Sequence, residues 1–239
     1  MEKTSIKKIN SLSQSDKWDE IIHKETSVSS VVIEYLTGQI QFEYLLEHKG
    51  EYSDDQIQNA VTFVIESLEN TSISAIRGLL RHSEYLKQID KSNVPQYSNF
   101  ATAVICVPET LITTTTAVSY RELGYSLYAE SKNDSSAEKY GENHGKLAVL
   151  LDLAVIKVEK RRKYFYPSVL TSRFCKMDQN EKMELLTRLC YRIPLIQHAV
   201  VSDNPHKAAE ECLKKVLAAT TYERRIANAQ EILSFALEE

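Results

Sequence analysis

The sequence has few chain-breaking residues, with only six glycines and five prolines among its 239 residues. Rossmann sheets, P-loop proteins and all-β sandwiches need glycine at their phosphate loops and many turns, so this composition argues against all three classes. The same scarcity favours long helices joined by short connections. At this length the chain can bury a substantial hydrophobic core without disulfides or a structural metal.

Cysteine is also sparse, and its four copies are scattered along the chain at positions 106, 175, 190 and 212. They form no Cys-x-x-Cys pair, and no histidine stands at zinc-finger spacing from two of them. We therefore expect buried, reduced thiols and no structural zinc.

Long apolar runs are missing as well. No stretch approaches the roughly 18–20 apolar residues that a membrane helix needs. The first 16 residues are polar and contain no signal-peptide core. We expect a cytoplasmic protein with no membrane partner.

Helix starts, in contrast, are abundant. A Ser, Thr or Asp followed three residues later by Glu or Gln satisfies two free backbone amides at a helix start, which is the capping box. The pattern precedes helically spaced apolar residues at five places, and an Asn-Pro pair marks a sixth start. These starts are Ser53/Gln56, Ser119/Glu122, Ser135/Glu138, Asp178/Glu181, Thr220/Glu223 and Asn204-Pro205.

Residues 119–170 show a distinctive order of predicted elements. A helix from Ser119 is followed by a turn cluster at 132–135 and by a second helix with an apolar face. Residues 155–158 then alternate between apolar and polar side chains as in a strand, residues 159–163 form a polar tip, and residues 164–170 form a return strand bent at Pro167. Helix, turn, helix and basic hairpin is the order of a winged helix-turn-helix.

The predicted fold class is therefore mainly α. We expect a helical N-terminal domain at residues 1–92, followed at 93–239 by a winged helix-turn-helix with a small β-hairpin and helical C-terminal support. The boundary is placed near residue 92 because Lys91–Pro95 has the composition of a loop, and a residue before proline avoids the helical region.

The charge distribution suggests double-stranded DNA as the partner. The net charge is −4, yet five cations lie between residues 157 and 163. Cations at a hairpin tip can neutralise DNA phosphates, whereas Asn143 and Lys146 on the second helix suit base edges. His144 lies on the apolar face and is expected in the core. The predicted DNA-binding residues are Lys139, Asn143, Lys146, Lys157, Lys160, Arg161, Arg162, Lys163 and Tyr164.

Residues 139–148, Lys-Tyr-Gly-Glu-Asn-His-Gly-Lys-Leu-Ala, carry a family resemblance. The segment resembles the recognition helix of winged-helix domains attached to bacterial restriction-modification and defence proteins. Residues 121–124, 170–171 and 221–227 support the resemblance, which extends over residues 113–236. It implies a DNA-binding specificity or control component of a restriction-like system. It transfers no catalytic residue. A homodimer would match a symmetric DNA site.

Two other functions remain open. One is a compact Mg²⁺-dependent type II restriction endonuclease, which would need an acid cluster with a lysine. Two triplets could supply the acid and the lysine, Glu47-His48-Lys49 and Glu130-Ser131-Lys132. The second acid beside Glu47 could be Asp19, Glu34 or Glu43. Only in this case do we expect a cofactor, Mg²⁺. The other alternative is a helical protein-interaction module that binds no nucleic acid. No nucleophile elbow, HExxH or Walker motif indicates another enzyme.

Overall fold

The computed structural model of the protein describes residues 13–114, 116–128 and 133–238. Within them the protein is mainly α-helical with one small three-stranded antiparallel sheet, which confirms the predicted fold class. The elements are α1 (Gln14–Ile22), α2 (Val28–Leu36), α3 (Phe42–Glu47), α4 (Asp54–Glu69), α5 (Ile73–His82), a π-helix (Thr102–Cys106), α6 (Val107–Thr113), β1 (Val118–Ser119), α7 (Tyr120–Leu127), α8 (Asp134–Leu150), β2 (Val155–Glu159), β3 (Arg162–Tyr166), α9 (Thr171–Lys176), α10 (Gln179–Cys190), α11 (Pro194–Val200), α12 (Pro205–Val216) and α13 (Ala219–Leu237).

Four of the six predicted helix starts are confirmed. Capping boxes open α4 at Ser53, α7 at Ser119 and α10 at Asp178. The Asn204 side chain caps α12, whose first residue is Pro205. In each case the cap satisfies amides that the helix leaves without a partner.

The other two predicted starts are wrong by two residues. Helix α8 begins at Asp134 because the Asn133 side chain already accepts a hydrogen bond from the Ser136 amide at 2.9 Å. Ser135 therefore lies inside the first turn. Helix α13 begins at Ala219 without a side-chain cap, so Thr220 also lies within the helix.

Helix α5 is shorter than predicted. The apolar spacing after Ser72 predicts a helix through Leu86, but α5 ends at His82 and residues 84–90 form an irregular segment. This segment packs against the C-terminal helices. The Lys87 amide donates to the Gln197 side-chain oxygen Oε1 at 3.0 Å, so a tertiary hydrogen bond takes the place of a helical one.

One hydrophobic core runs through the N-terminal and C-terminal helices. Polar contacts inside it also join the two segments. The Tyr35 hydroxyl donates to Asp152 at 2.7 Å, and the Arg192 guanidinium lies 3.5 Å from the same carboxylate. The domain boundary near residue 92 stays a prediction, while these buried contacts link residues on both of its sides.

Helices α7 and α8 pack unusually closely, and glycine makes this possible. A Cβ atom added at Gly124 would lie 1.8 Å from the Ala137 carbonyl oxygen, and one at Gly141 would lie 2.0 Å from the Tyr120 carbonyl oxygen. Neither separation is sterically possible. Three of the chain's six glycines, including Gly145 beneath the Phe165 ring, therefore fix the packing of this region.

The sheet has the order β1-β3-β2 and all of its pairs are antiparallel. Ile156 pairs with Phe165, and the Phe165 ring is fully buried against α8. The predicted return strand over 164–170 ends earlier, at Tyr166. Pro167 has no amide to donate, and the Ser168 amide donates to Thr171 Oγ1 at 2.7 Å instead of continuing the ladder.

The four cysteines are free, but they do not share one environment. Cys190 is buried and Cys175 and Cys212 are half-buried, whereas Cys106 is exposed. The expectation of burial is thus wrong for Cys106, whose side chain points outward from the π-helix. Among the described residues, no helix has both the length and the apolar content that a membrane span requires.

Candidate nucleic-acid interface

The hairpin turn between β2 and β3 consists of Lys160 and Arg161, both in the left-handed backbone region with φ of 46° and 67°. Two positive φ values define the tight turn for which Asn-Gly is the preferred sequence. A side chain with a Cβ atom costs roughly 1 kcal/mol in this conformation. The chain therefore keeps two long cations at a position where local stability favours small residues.

Strand alternation divides the five cations of the hairpin. Lys157 pairs with Tyr164 and Arg162 pairs with Glu159, which places their side chains on one face of the hairpin. Lys163 pairs with Val158 on the opposite face. The five cations are therefore divided between the two faces, and Lys160 and Arg161 lie at the tip between them.

The hairpin cations are largely unpaired. Lys157 lies over the Tyr166 ring, 5.3 Å from its centroid. Glu159, which is the carboxylate of the hairpin, accepts a hydrogen bond from the Tyr166 hydroxyl. Among the described residues, no carboxylate lies within ion-pair distance of the other four cations. Their charge is thus available to a partner.

A groove of about 640 Å³ separates the hairpin from the starts of α7 and α8. We name it the wing groove. Its charged lining consists of Arg121, Glu122, Asp134, Glu138, Arg161, Arg162 and Lys163, with Ser119, Tyr120 and Tyr164 completing the wall.

The acidic residues of the wing groove differ in how they are engaged. Glu122 belongs to the capping box of α7, and its pKa is lowered by hydrogen bonds from Ser119. Asp134 accepts from Arg121 and from the Tyr125 hydroxyl, each at 2.8 Å, and these bonds lower its pKa. Glu138 is exposed and, among the described residues, has no such partner. It therefore presents a negative charge to the groove.

The three residues predicted on α8 are placed differently from one another. Lys139 is exposed. Lys146 is half-buried and donates to Glu142 at 2.6 Å, so part of its charge is neutralised. Asn143 is half-buried and faces Gln96, away from the hairpin.

His144 lies in the core, as predicted, with 1% of its surface exposed. Its Nδ1 lies 2.8 Å from the Tyr140 carbonyl oxygen, which can only accept, so Nδ1 carries the proton. Nε2 is then the acceptor for the Ser98 hydroxyl at 3.3 Å. Burial lowers the pKa of His144 and keeps the ring neutral.

The residues of the endonuclease alternative are dispersed. Glu47 is the last residue of α3, and Lys49 follows in an exposed turn. Glu34 pairs with Lys17, and Asp19 accepts from the Tyr52 hydroxyl. Glu130-Ser131-Lys132 lies outside the described residues. Within the part of the chain that is described, no three His, Cys, Asp or Glu side chains lie together in a way that could hold a metal ion.

Sequence reasoning missed the segment at residues 91–98, which runs beside α8 and forms the second wall of the clefts at Asn143. Its composition predicts only a loop. Its buried Val94 and Tyr97, separated by two residues, are the one signal that could have indicated an anchored segment.

In comparisons with protein-family models, with curated proteins and with solved structures, nothing matches this chain.

Proposed function

We propose that the protein binds double-stranded DNA through residues 107–166 and acts as a specificity or control component of a restriction-like system. The order α6, β1, α7, α8, β2, β3 is that of a winged helix-turn-helix. In this arrangement α8 enters the major groove while the hairpin contacts the flanking backbone. The genetic context comes from the resemblance of residues 139–148.

The observation that carries the proposal is the turn at Lys160 and Arg161. Both side chains are exposed and unpaired, and both occupy backbone conformations that penalise them. Strained positions cluster at functional sites because selection there favours the side chain over local stability. Two adjacent cations beside a groove next to α8 suit successive phosphates of a DNA backbone.

Five of the other predicted residues then have a defined role. Arg162 and Lys163 lie on opposite faces of the hairpin and extend the phosphate contacts from the tip along each face. Tyr164 lines the wing groove. Lys139 is the exposed cation on α8 that reaches the major groove first. Asn143 has the amide geometry that pairs with adenine.

A salt titration tests the proposal. Binding to a mixed-sequence 30-base-pair duplex is measured by fluorescence anisotropy between 50 and 200 mM KCl for the wild type and for Lys160→Ala/Arg161→Ala/Arg162→Ala. Each lost phosphate contact lowers the magnitude of the slope of log K against log salt by about 0.9, so we expect a decrease of about 2–3.

A matched control removes three exposed lysines elsewhere, as Lys49→Ala/Lys176→Ala/Lys215→Ala. The net charge change is the same, so only a local contact can separate the two variants. Equal slopes for the wild type and the hairpin variant would overturn the proposal, as would an equal loss in both variants.

A further inference from the structure

The segment at residues 91–98, here named the strap, is fixed to the C-terminal helix. Val94 and Tyr97 are buried, with 4% and 6% of their surfaces exposed. The Tyr97 hydroxyl donates to Glu231 at 2.7 Å, and Asn228 Nδ2 donates to the Tyr97 carbonyl oxygen at 3.0 Å. Arg225 donates to the Lys91 carbonyl oxygen at 2.8 Å. The strap is therefore a positioned element, although it has no regular secondary structure.

The strap and α8 form two adjoining clefts, one of about 330 Å³ over the first half of the helix and one of about 60 Å³ further along. Gln96 and Asn143 line both clefts, so both residues border the edge that the clefts share. Both residues are half-buried, and within the described chain neither side-chain amide has a hydrogen-bond partner. Two amides that border the same clefts and make no hydrogen bond to the described protein are available to a polar ligand.

The surroundings of these amides are positively charged. Lys91, Lys146 and Arg225 line the smaller cleft, and Lys139 lines the larger one. Of these, Lys91 and Lys139 are exposed and, among the described residues, have no ion-pair partner. The clefts therefore favour a ligand that combines hydrogen-bonding edges with negative charge, as a nucleic acid does.

The strap and the hairpin lie on different sides of α8. Glu138 faces the wing groove and Asn143 faces the strap. Five residues separate them, which corresponds to about 140° around a helix with 3.6 residues per turn. Exposed Lys139 lies between these two directions. A duplex that meets α8 at Lys139 is thus bordered by cations on both sides.

We propose that the strap is a second DNA-contacting arm, in which Gln96 contacts a base edge beside Asn143 and Lys91 contacts a backbone phosphate. This inference rests on the proposed function and adds a recognition element outside the winged-helix unit. A base edge that reaches Asn143 enters the cleft whose other wall is Gln96, so the two amides act on the same or neighbouring base pairs. Amide side chains favour adenine, because they can donate and accept together.

Two variants test the strap without disturbing its anchors. The Lys91 side chain is exposed and only its backbone oxygen is used by Arg225, so Lys91→Ala should fold normally. With the mixed-sequence duplex, Lys91→Ala should lower the magnitude of the salt slope by about 0.9. Lys49→Ala, which removes an exposed lysine from another part of the chain, should leave the slope unchanged.

The second test concerns sequence preference. Duplexes with a randomised 20-base-pair centre are selected by the wild type, by Gln96→Ala and by Asn143→Ala. We expect both variants to lose preference at the same or adjacent positions, with an affinity loss of about tenfold or less on the wild-type consensus. The double variant should lose less than the product of the two single losses, because the residues share one site.

The outcomes separate this inference from the proposed function. If the hairpin variant loses slope while Lys91→Ala and Gln96→Ala retain wild-type slope and preference, the strap is not a DNA contact and the winged-helix proposal stands. If the wild type does not bind duplex DNA, both proposals are overturned. If the strap variants lose salt slope and sequence preference and the hairpin variant also loses salt slope, both proposals are supported.

Discussion

At the residue scale, the sequence indicates where charged side chains are concentrated better than it indicates what each side chain contacts. The cations of the hairpin are visible in the sequence, and four of them are unpaired in the structure. The pairing of Lys146 with Glu142 follows from their spacing of four residues, which brings side chains together on a helix. The orientation of Asn143 toward Gln96 does not follow from any local pattern, because the strap is 47 residues away in sequence.

Glu138 gives a prediction at this scale. It presents an unpaired carboxylate to the wing groove, where a DNA backbone would add more negative charge. Glu138→Gln keeps the shape of the side chain and removes the repulsion. We expect binding to a mixed-sequence duplex at 100 mM KCl to strengthen roughly two- to fivefold, as a surface charge pair is worth about 0.5–1 kcal/mol.

The control for this prediction is Glu181→Gln. In the wild type the Glu181 carboxylate caps α10, away from the wing groove. That variant should leave DNA affinity unchanged. Weaker binding by Glu138→Gln would show that the carboxylate makes a favourable contact, and unchanged binding would place the duplex elsewhere.

At the element scale, capping rules located four of the six predicted helix starts because caps are local chemistry. Ser53, Ser119 and Asp178 need only a side chain three residues away. The hairpin was predictable from alternation, whereas its exact turn was not. The end of β3 depends on the hydrogen bond from the Ser168 amide to Thr171 Oγ1, which the alternation of apolar and polar residues does not predict.

The contact between α7 and α8 gives the second prediction. Gly124→Ala places a methyl group against the Ala137 carbonyl oxygen and must force the helices apart. Overpacking of this kind costs about 1–3 kcal/mol, which outweighs the gain of about 1 kcal/mol from replacing a helical glycine. We expect a lower melting temperature by circular dichroism and a loss of DNA binding.

Gly78 in α5 is the matched position, since a Cβ atom added there meets nothing within 4 Å. Gly78→Ala should therefore raise the melting temperature, by about 2–4 °C per kcal/mol for a chain of this size. If both substitutions changed stability in the same direction, close helix packing would not be the reason for Gly124.

At the scale of the whole molecule, a buried polar cluster joins the two halves of the chain. Asp152 follows α8, Tyr35 belongs to α2 and Arg192 follows α10, and all three are buried. Lys87 faces Arg192 and Asp152 from the irregular segment after α5. Burial, with the nearby guanidinium, lowers the pKa of Lys87 to about 7.

This shift predicts a dependence of stability on pH. An unfolded lysine has a pKa near 10.4, so between about pH 7 and pH 10 the unfolded chain binds more protons at this residue than the folded chain. The free energy of unfolding therefore rises with pH in this window. In urea titrations, wild type should gain stability relative to Lys87→Met from pH 7 to pH 9.

Lys91→Met provides the reference, since Lys91 is exposed and its removal should leave the pH profile parallel to that of the wild type. Parallel profiles for wild type and Lys87→Met would contradict the account of the buried lysine.

The same scale explains what the sequence could not provide. Composition and helix-capping patterns predict a mainly helical protein, and that fold class is confirmed. The cluster around Asp152 and the strap beside α8 come from contacts between residues 40 or more positions apart. Their energies depend on the assembled fold, because neither burial nor the loss of hydration exists in the isolated segments.

The most direct measurement of the central claim exchanges the hairpin turn. Lys160→Asn/Arg161→Gly installs the preferred residues for two positive φ values and removes two cations. We predict a melting temperature that rises, since each turn residue regains up to about 1 kcal/mol, together with duplex binding whose salt slope falls in magnitude by about 2. A variant that is more stable and still binds DNA with the wild-type slope would contradict the claim that Lys160 and Arg161 contact DNA phosphates.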